Sequence, residues 1–133
     1  MKEEATKVSA FPVGIENPYG EFFTGQSYLA ILTKNPVVAN VTFEPGCRNH
    51  WHIHHGGGQI LLATGGRGYY QAWGEEAREL LPGDVVEIPA GVKHWHGATP
   101  TEWFSHIAIE IPSENGSSEW CEEVSDEDYL KLK

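Results

Sequence analysis

The chain has 133 residues, of which 40% are hydrophobic, and a formal net charge of −10 from 9 basic and 19 acidic side chains. That length suits one domain that folds without disulfide or structural metal, and the composition is globular rather than disordered. No basic stripe offers itself to nucleic acid, no apolar run approaches the ~18 residues of a membrane helix, and the acidic balance excludes an anionic membrane as a main partner.

In chain order, the N-terminus MKEEATKVSAF mixes charges and lacks the apolar stretch of a signal peptide, so a cytoplasmic location is expected. From Ser27 to Glu44, SYLAILTKNPVVANVTFE reads as two strands about a turn at Asn35-Pro36, rich in the β-formers Val37, Val38, Val41, Thr42 and Phe43. Pro45-Gly46 makes a turn ahead of NHWHIHH. QILLAT is a short apolar run ending in Gly65-Gly66, and GYYQAW resumes after Arg67. LLPGDVVEIPAGVKHWHG carries turns at Pro82-Gly83 and Pro89-Gly91. WFSHIAIEIP alternates, with Phe104, His106, Ala108 and Glu110 on one face. The tail holds Glu114, Glu119, Glu122, Glu123, Asp126, Glu127 and Asp128, read as a solvated acidic face. It also has the one plausible helix signal, with Ser125 as cap and Asp128 three residues on. Short strands separated by Pro/Gly turns at roughly eight- to twelve-residue intervals predict an all-β sandwich or barrel.

His50 to Gln59 reads HWHIHHGGGQ, four of the chain's 7 histidines within six residues. On a strand, His52 and His54 share a face, with His50 at the same parity and Trp51 and Ile53 opposite. Downstream, His94 and His96 form a second His-X-His pair. One such pair alone serves equally as a surface or core feature. Two pairs, each after a Pro/Gly turn, need a reason, because burying unpartnered imidazoles costs on the order of a few kcal/mol. Two adjacent strands can supply the three or four nitrogen or oxygen ligands that a first-row divalent metal takes. The two cysteines, Cys47 and Cys121, form no CxxC motif and read as unrelated free thiols, although Cys47 lies near the histidines.

The spacing Gly46, five residues, His52-Ile53-His54, four residues, Gln59, six residues, Gly66 resembles the first cupin motif, with Gln at the usual Glu position. Gly83, five residues, Pro89-Ala90-Gly91, two residues, His94, three residues, Ala98 resembles the second, with Ala where Asn often sits. The resemblance implies a double-stranded β-helix, a jelly-roll-like barrel over about residues 22–112. The acidic tail and its short helix then occupy 113–133 of a single domain spanning 1–133. It implies His52, His54, Gln59 and His94 as the ligands of one divalent ion (Mn, Fe, Ni, Co or Zn). Replacing Glu by Gln removes a negative charge, leaving a stronger Lewis acid and counting against oxygen chemistry.

Between Phe22 and Ile111, FFTG, VTFEPG, GQILLAT, PGDVV, KHWHGATP and HIAIE resemble small cupins related to carboxymuconolactone decarboxylases and the manganese-dependent cupin hydroxynitrile lyases. That similarity favours manganese and implies His96 and His106 as catalytic residues. The His55-Gly56-Gly57-Gly58 linker departs from the lyase pattern, and three glycines make it conformationally permissive. His50 and His55 are expected at the rim. Trp51, Trp73, Trp95 and Trp103 are expected in the core or in a dimer contact, and Arg48, Tyr69, Tyr70 and Gln71 are candidates for the mouth. The resemblance further implies a homodimer acting on a small oxygenated molecule. Three activities follow: a non-oxidative lyase, decarboxylase or isomerase; an iron dioxygenase; and a metal-loaded accessory module of a decarboxylase-like partner. Protons should displace the ion below about pH 6, near the free imidazole pKa.

Overall fold

The alternation of apolar and polar residues is realised as strands that pair antiparallel throughout. A computed structural model describes residues 2–132. Helix α1 (Lys2–Val8) leads, followed by β1 (Ile15–Glu16), β2 (Phe23–Thr24), β3 (Ser27–Lys34), β4 (Val37–Phe43), β5 (Arg48–Asn49) and β6 (His52–His55). Then come β7 (Gln59–Gly66), β8 (Gly68–Ala72), β9 (Arg78–Leu80), β10 (Val85–Ile88), β11 (His94–Ala98), β12 (Phe104–Glu110) and β13 (Ser117–Trp120), and helix α2 (Asp126–Leu130) closes the chain.

One sheet runs β1-β3-β4-β12-β7-β10; the other runs β13-β6-β11-β5-β2, with β8 also on β11 and β9 on β8. Between them lies an apolar core. Val41, Phe43, Leu61, Ala63, Val86, Ile88, Phe104 and Ala108 come from the first sheet, and Leu80 and Ala98 from the second, with Cys47 just ahead of β5. The strict burial alternation of β7 places Gln59 on the same inward face as Leu61 and Ala63. No helix among the described residues is long and apolar enough to cross a membrane.

Two features differ from the sequence reading. The tail helix forms as expected, with the Ser125 hydroxyl accepting from the Asp128 amide at 3.1 Å, but α1 is a second helix. It has acidic residues Glu3 and Glu4 in its first turn and Lys7 in its last, which suits the helix dipole. Its fully buried Ala5 packs with Val13 and Tyr28. Seven residues give too little periodicity to read, and tertiary packing supplies the stability.

The tail is also more than a solvated face. Its β13 extends the second sheet beside β6, pairing Ser118 with His54 and Trp120 with His52. Beyond it, Val124 and Tyr129 cover Tyr69 and Trp95, and four tail acids meet basic partners: Glu119 with His55, Glu122 with Lys93, Glu123 with His50 and Asp126 with Arg48.

Candidate metal centre

The centre is assembled by register. His94 on β11 is the cross-strand partner of His52 on β6, and alternation along β6 brings His54 to the same side. The side-chain nitrogens of His52, His54 and His94 lie within 4.8 Å of one another, all buried.

Hydrogen bonds fix the tautomers of His52 and His94. His52 Nδ1 donates to the His50 carbonyl at 2.8 Å and His94 Nδ1 donates to the Val92 carbonyl at 2.9 Å. Each ring then carries its lone pair on Nε2. This is how metal-bound histidines are held, with the second nitrogen anchored to backbone. His94 Nε2 is buried without a hydrogen-bond partner among the described residues, an arrangement that costs energy unless something electropositive meets it. Gln59 Oε1 sits 3.2 Å from His54 Nε2, so a fourth donor reaches the same point. Three neutral imidazoles and an amide oxygen fit a divalent transition metal.

Burial decides the protonation state. Desolvation lowers His94 to about 4 and His106 to about 3. It holds His52 and His96 well below the usual histidine range, with neighbouring imidazoles adding to the effect. His52 and His94, held neutral by burial, are poised to bind metal.

His96, two residues along β11, lies beside the cluster, its ring centroid 5.6 Å from that of His52. Its Nδ1 is 3.1 Å from His106 Nε2. Asn49 anchors the pair by accepting the His96 backbone amide at 2.9 Å. Around these groups lies a cavity of about 310 Å³. Its polar floor is His52, His54, Gln59, His96 and His106, and its walls are largely apolar: Phe23, Leu29, Ile31, Val41, Ala108 and Trp120. Trp120 stacks on Phe22 at 4.5 Å and lies 4.8 Å from the His52 ring.

All six sequence-derived site residues therefore meet in one place, while other candidates do not. The strand breaks between Asn49 and His52, so His50 leaves the inward face and stands 3.7 Å from Glu123. His55 pairs with Glu119 at 2.7 Å at the surface. Arg48 is no mouth residue. It is buried, donates to the Val124 carbonyl at 2.8 Å and to Asp126 at 2.6 Å, and lies over the Tyr129 ring. Tyr69 is buried against Trp95, and Gln71 accepts from the Trp95 indole at 2.9 Å. Of that group only Tyr70 approaches the centre, 5.8 Å from the His94 ring. Burial raises the Cys47 thiol to about 12, so it is no nucleophile.

The glycine linker is tight rather than free. Gly56 has φ +90, which only glycine adopts readily. At Gly57 and Gly58 a Cβ would come within 2.1 Å of the Ile111 and Ile88 carbonyl oxygens. Asn49 and Trp120 were not anticipated; their roles arise from strand pairings that no local motif announces.

The family model for a cupin domain matches residues 39–108. The chain belongs to the cupin family. Among cupins, the (R)-mandelonitrile lyase of Granulicella tundricola is 42% identical to it over 116 residues, 84% of this chain and 88% of that protein. The crystal structure of a cupin-like protein from Thermotoga maritima superposes with a TM-score of 0.87 at 44% identity, covering 94% of this chain and 97% of that one. A Klebsiella pneumoniae protein with a double-stranded β-helix domain shares the cupin fold alone, at TM-score 0.64 and 18% identity over 90% of this chain and 95% of that one.

Proposed function

We propose that this cupin is a metal-dependent lyase that cleaves small cyanohydrins of the mandelonitrile type to an aldehyde and hydrogen cyanide. The observation that carries this reading is the convergence of His52, His54, His94 and Gln59 beside the neutral His96–His106 pair, with all of these but His94 lining a largely apolar cavity. The 42% identity to the Granulicella tundricola lyase supports it.

Those four residues would hold a divalent ion, with manganese favoured over Fe, Ni, Co or Zn, and such an ion would supply Lewis-acid stabilisation of negative charge on a substrate oxygen. The apolar walls accept an aryl or alkyl body, which orients the polar carbon toward the floor. The His96–His106 pair holds an unprotonated nitrogen at neutral pH and takes the hydroxyl proton. As the carbon–carbon bond breaks, its electrons leave on cyanide. The imidazolium, strongly acidic in its buried setting, returns the proton to that cyanide, so nothing is oxidised or reduced.

The test is to load the chain with each metal in turn and follow benzaldehyde release from mandelonitrile under nitrogen. Turnover should fall by ~10²–10⁴ in His96→Ala and His106→Ala with metal content unchanged. Activity only on admitting oxygen would replace the lyase by a dioxygenase. A loaded chain inert to the whole panel would make it an accessory module.

A further inference from the structure

We infer that Glu110 is a positioning residue for Gln59, holding its amide so that the oxygen faces the three-histidine cluster and supplying, one hydrogen bond away, the negative charge that the ligand position itself lacks. The inference rests on the reading of that cluster as a metal centre.

Glu110 is the last residue of β12 and the direct cross-strand partner of Gln59, the first of β7. Gln59 Nε2 donates to Glu110 Oε2 at 2.6 Å, while Oε1 of the same amide lies 3.2 Å from His54 Nε2. An amide has two chemically opposite ends, and only one can ligate a cation. A glutamine turned the other way round would present its NH₂ group, which cannot ligate, to the ion. A carboxylate can only accept from that NH₂ group, so it fixes the polarity. A charge-assisted bond of this kind is roughly twice as strong as a neutral one. It also polarises the amide, placing more negative charge on Oε1.

The partnership therefore separates two functions that one ligating carboxylate would combine. The ion meets a neutral oxygen, and the compensating charge stands behind it. Glu110 is half-buried and lines the same cavity as His96 and His106, so the charge also faces the substrate space.

The experiment is a metal titration of the apo chain with Mn²⁺ and Co²⁺, against a competing chelator, for wild type, Gln59→Ala, Glu110→Ala, Glu110→Gln and the double alanine variant. Glu110→Ala should weaken binding by ~10–100-fold, the range for an outer partner of a ligand, and Glu110→Gln should fall between it and wild type. The double variant should bind no worse than Gln59→Ala, because Glu110 acts through Gln59. The Co²⁺ absorption spectrum of Glu110→Ala should move toward that of Gln59→Ala. Apo melting temperatures identify any loss due to misfolding, and Glu110→Gln, which keeps shape and volume, carries the test if Glu110→Ala unfolds. Wild-type affinity in both Glu110 variants, or fully additive losses in the double variant, would overturn the inference alone. A wild-type chain that binds neither ion would overturn the metal reading and this inference with it.

Discussion

His94 and His52 face each other across the β11–β6 ladder as direct cross-strand partners, their ring centroids 4.2 Å apart. Each ring donates Nδ1–H to a backbone carbonyl two residues before it. The site is thus built by strand register, with the two rings anchored on carbonyls just ahead of their strands.

The first prediction concerns that organisation. His52→Ala/His54→Ala should abolish stoichiometric metal binding, measured by elemental analysis after gel filtration. His55→Ala, at the surface, should leave it whole. Full metal content in the double variant would mean that the ion lies elsewhere.

A second prediction is acid sensitivity. Unfolded histidines titrate near ~6.5, whereas His94 and His106 in the folded chain titrate at about 4 and about 3, with His52 and His96 also held low by burial. Between these values the unfolded chain binds more protons than the folded one. Stability of the metal-free protein is therefore fully present above pH ~7 and declines as pH falls, by up to ~1.4 kcal/mol per pH unit for each such histidine. The decline ends where the native rings themselves charge. Urea denaturation at pH 7.5 and 5.5 measures this. His106→Leu should make the dependence shallower, and a flat profile would mean that the histidines are solvated.

The tail supplies a third. Arg48 joins β5 to residues 124–129, and Tyr129 donates its hydroxyl to the Ala98 carbonyl at 2.5 Å. Arg48→Ala strips a buried carbonyl of its donor and a buried ring of its cover, costing roughly 2–4 kcal/mol and on the order of 10 °C in Tm. Asp126→Ala should cost under ~1 kcal/mol, because that carboxylate is 79% exposed. Equal losses in the two variants would place the stabilisation in the ion pair instead of in the packing.

Why some of this was legible in the chain and some was not has a physical basis. His52 and His54, like His94 and His96, share a strand, and alternation along one strand can be read from spacing alone. His106 and Glu110 were placed on one face for the same reason. What spacing cannot give is which strand lies beside which. The Gln59–Glu110 bond, the Asn49 anchor on His96 and the packing of Trp120 against His52 all depend on pairings between distant segments. Arg48 shows the converse: nothing in its sequence position separates a mouth residue from a buried one, and only its burial and its bonds to Val124 and Asp126 reveal it as the clamp on the tail.

The linker gives the last prediction. Three glycines between His54 and Gln59 suggest slack, but the chain there is wedged. The Ile111 amide donates to the Gly58 carbonyl at 3.0 Å, and the Gly91 amide donates to the His54 carbonyl at 2.8 Å. A methyl group at Gly58 would lie 2.1 Å from the Ile88 carbonyl oxygen and 3.1 Å from the Ala90 amide nitrogen, both backbone atoms that cannot rotate away. Gly58→Ala must therefore push apart the end of β10 and the start of β7, displacing Gln59, its immediate neighbour. The overpacking should cost about 1–3 kcal/mol and weaken metal binding on the order of ten-fold or more. Gly46→Ala is the control: its φ of +87 is strained for alanine, but nothing lies within 4 Å of the added carbon. It should lose ~1 kcal/mol of stability with unchanged metal affinity. A Gly58→Ala protein that melts and binds metal like wild type would show that the linker yields, and that Gln59 is placed by Glu110 and the strand alone.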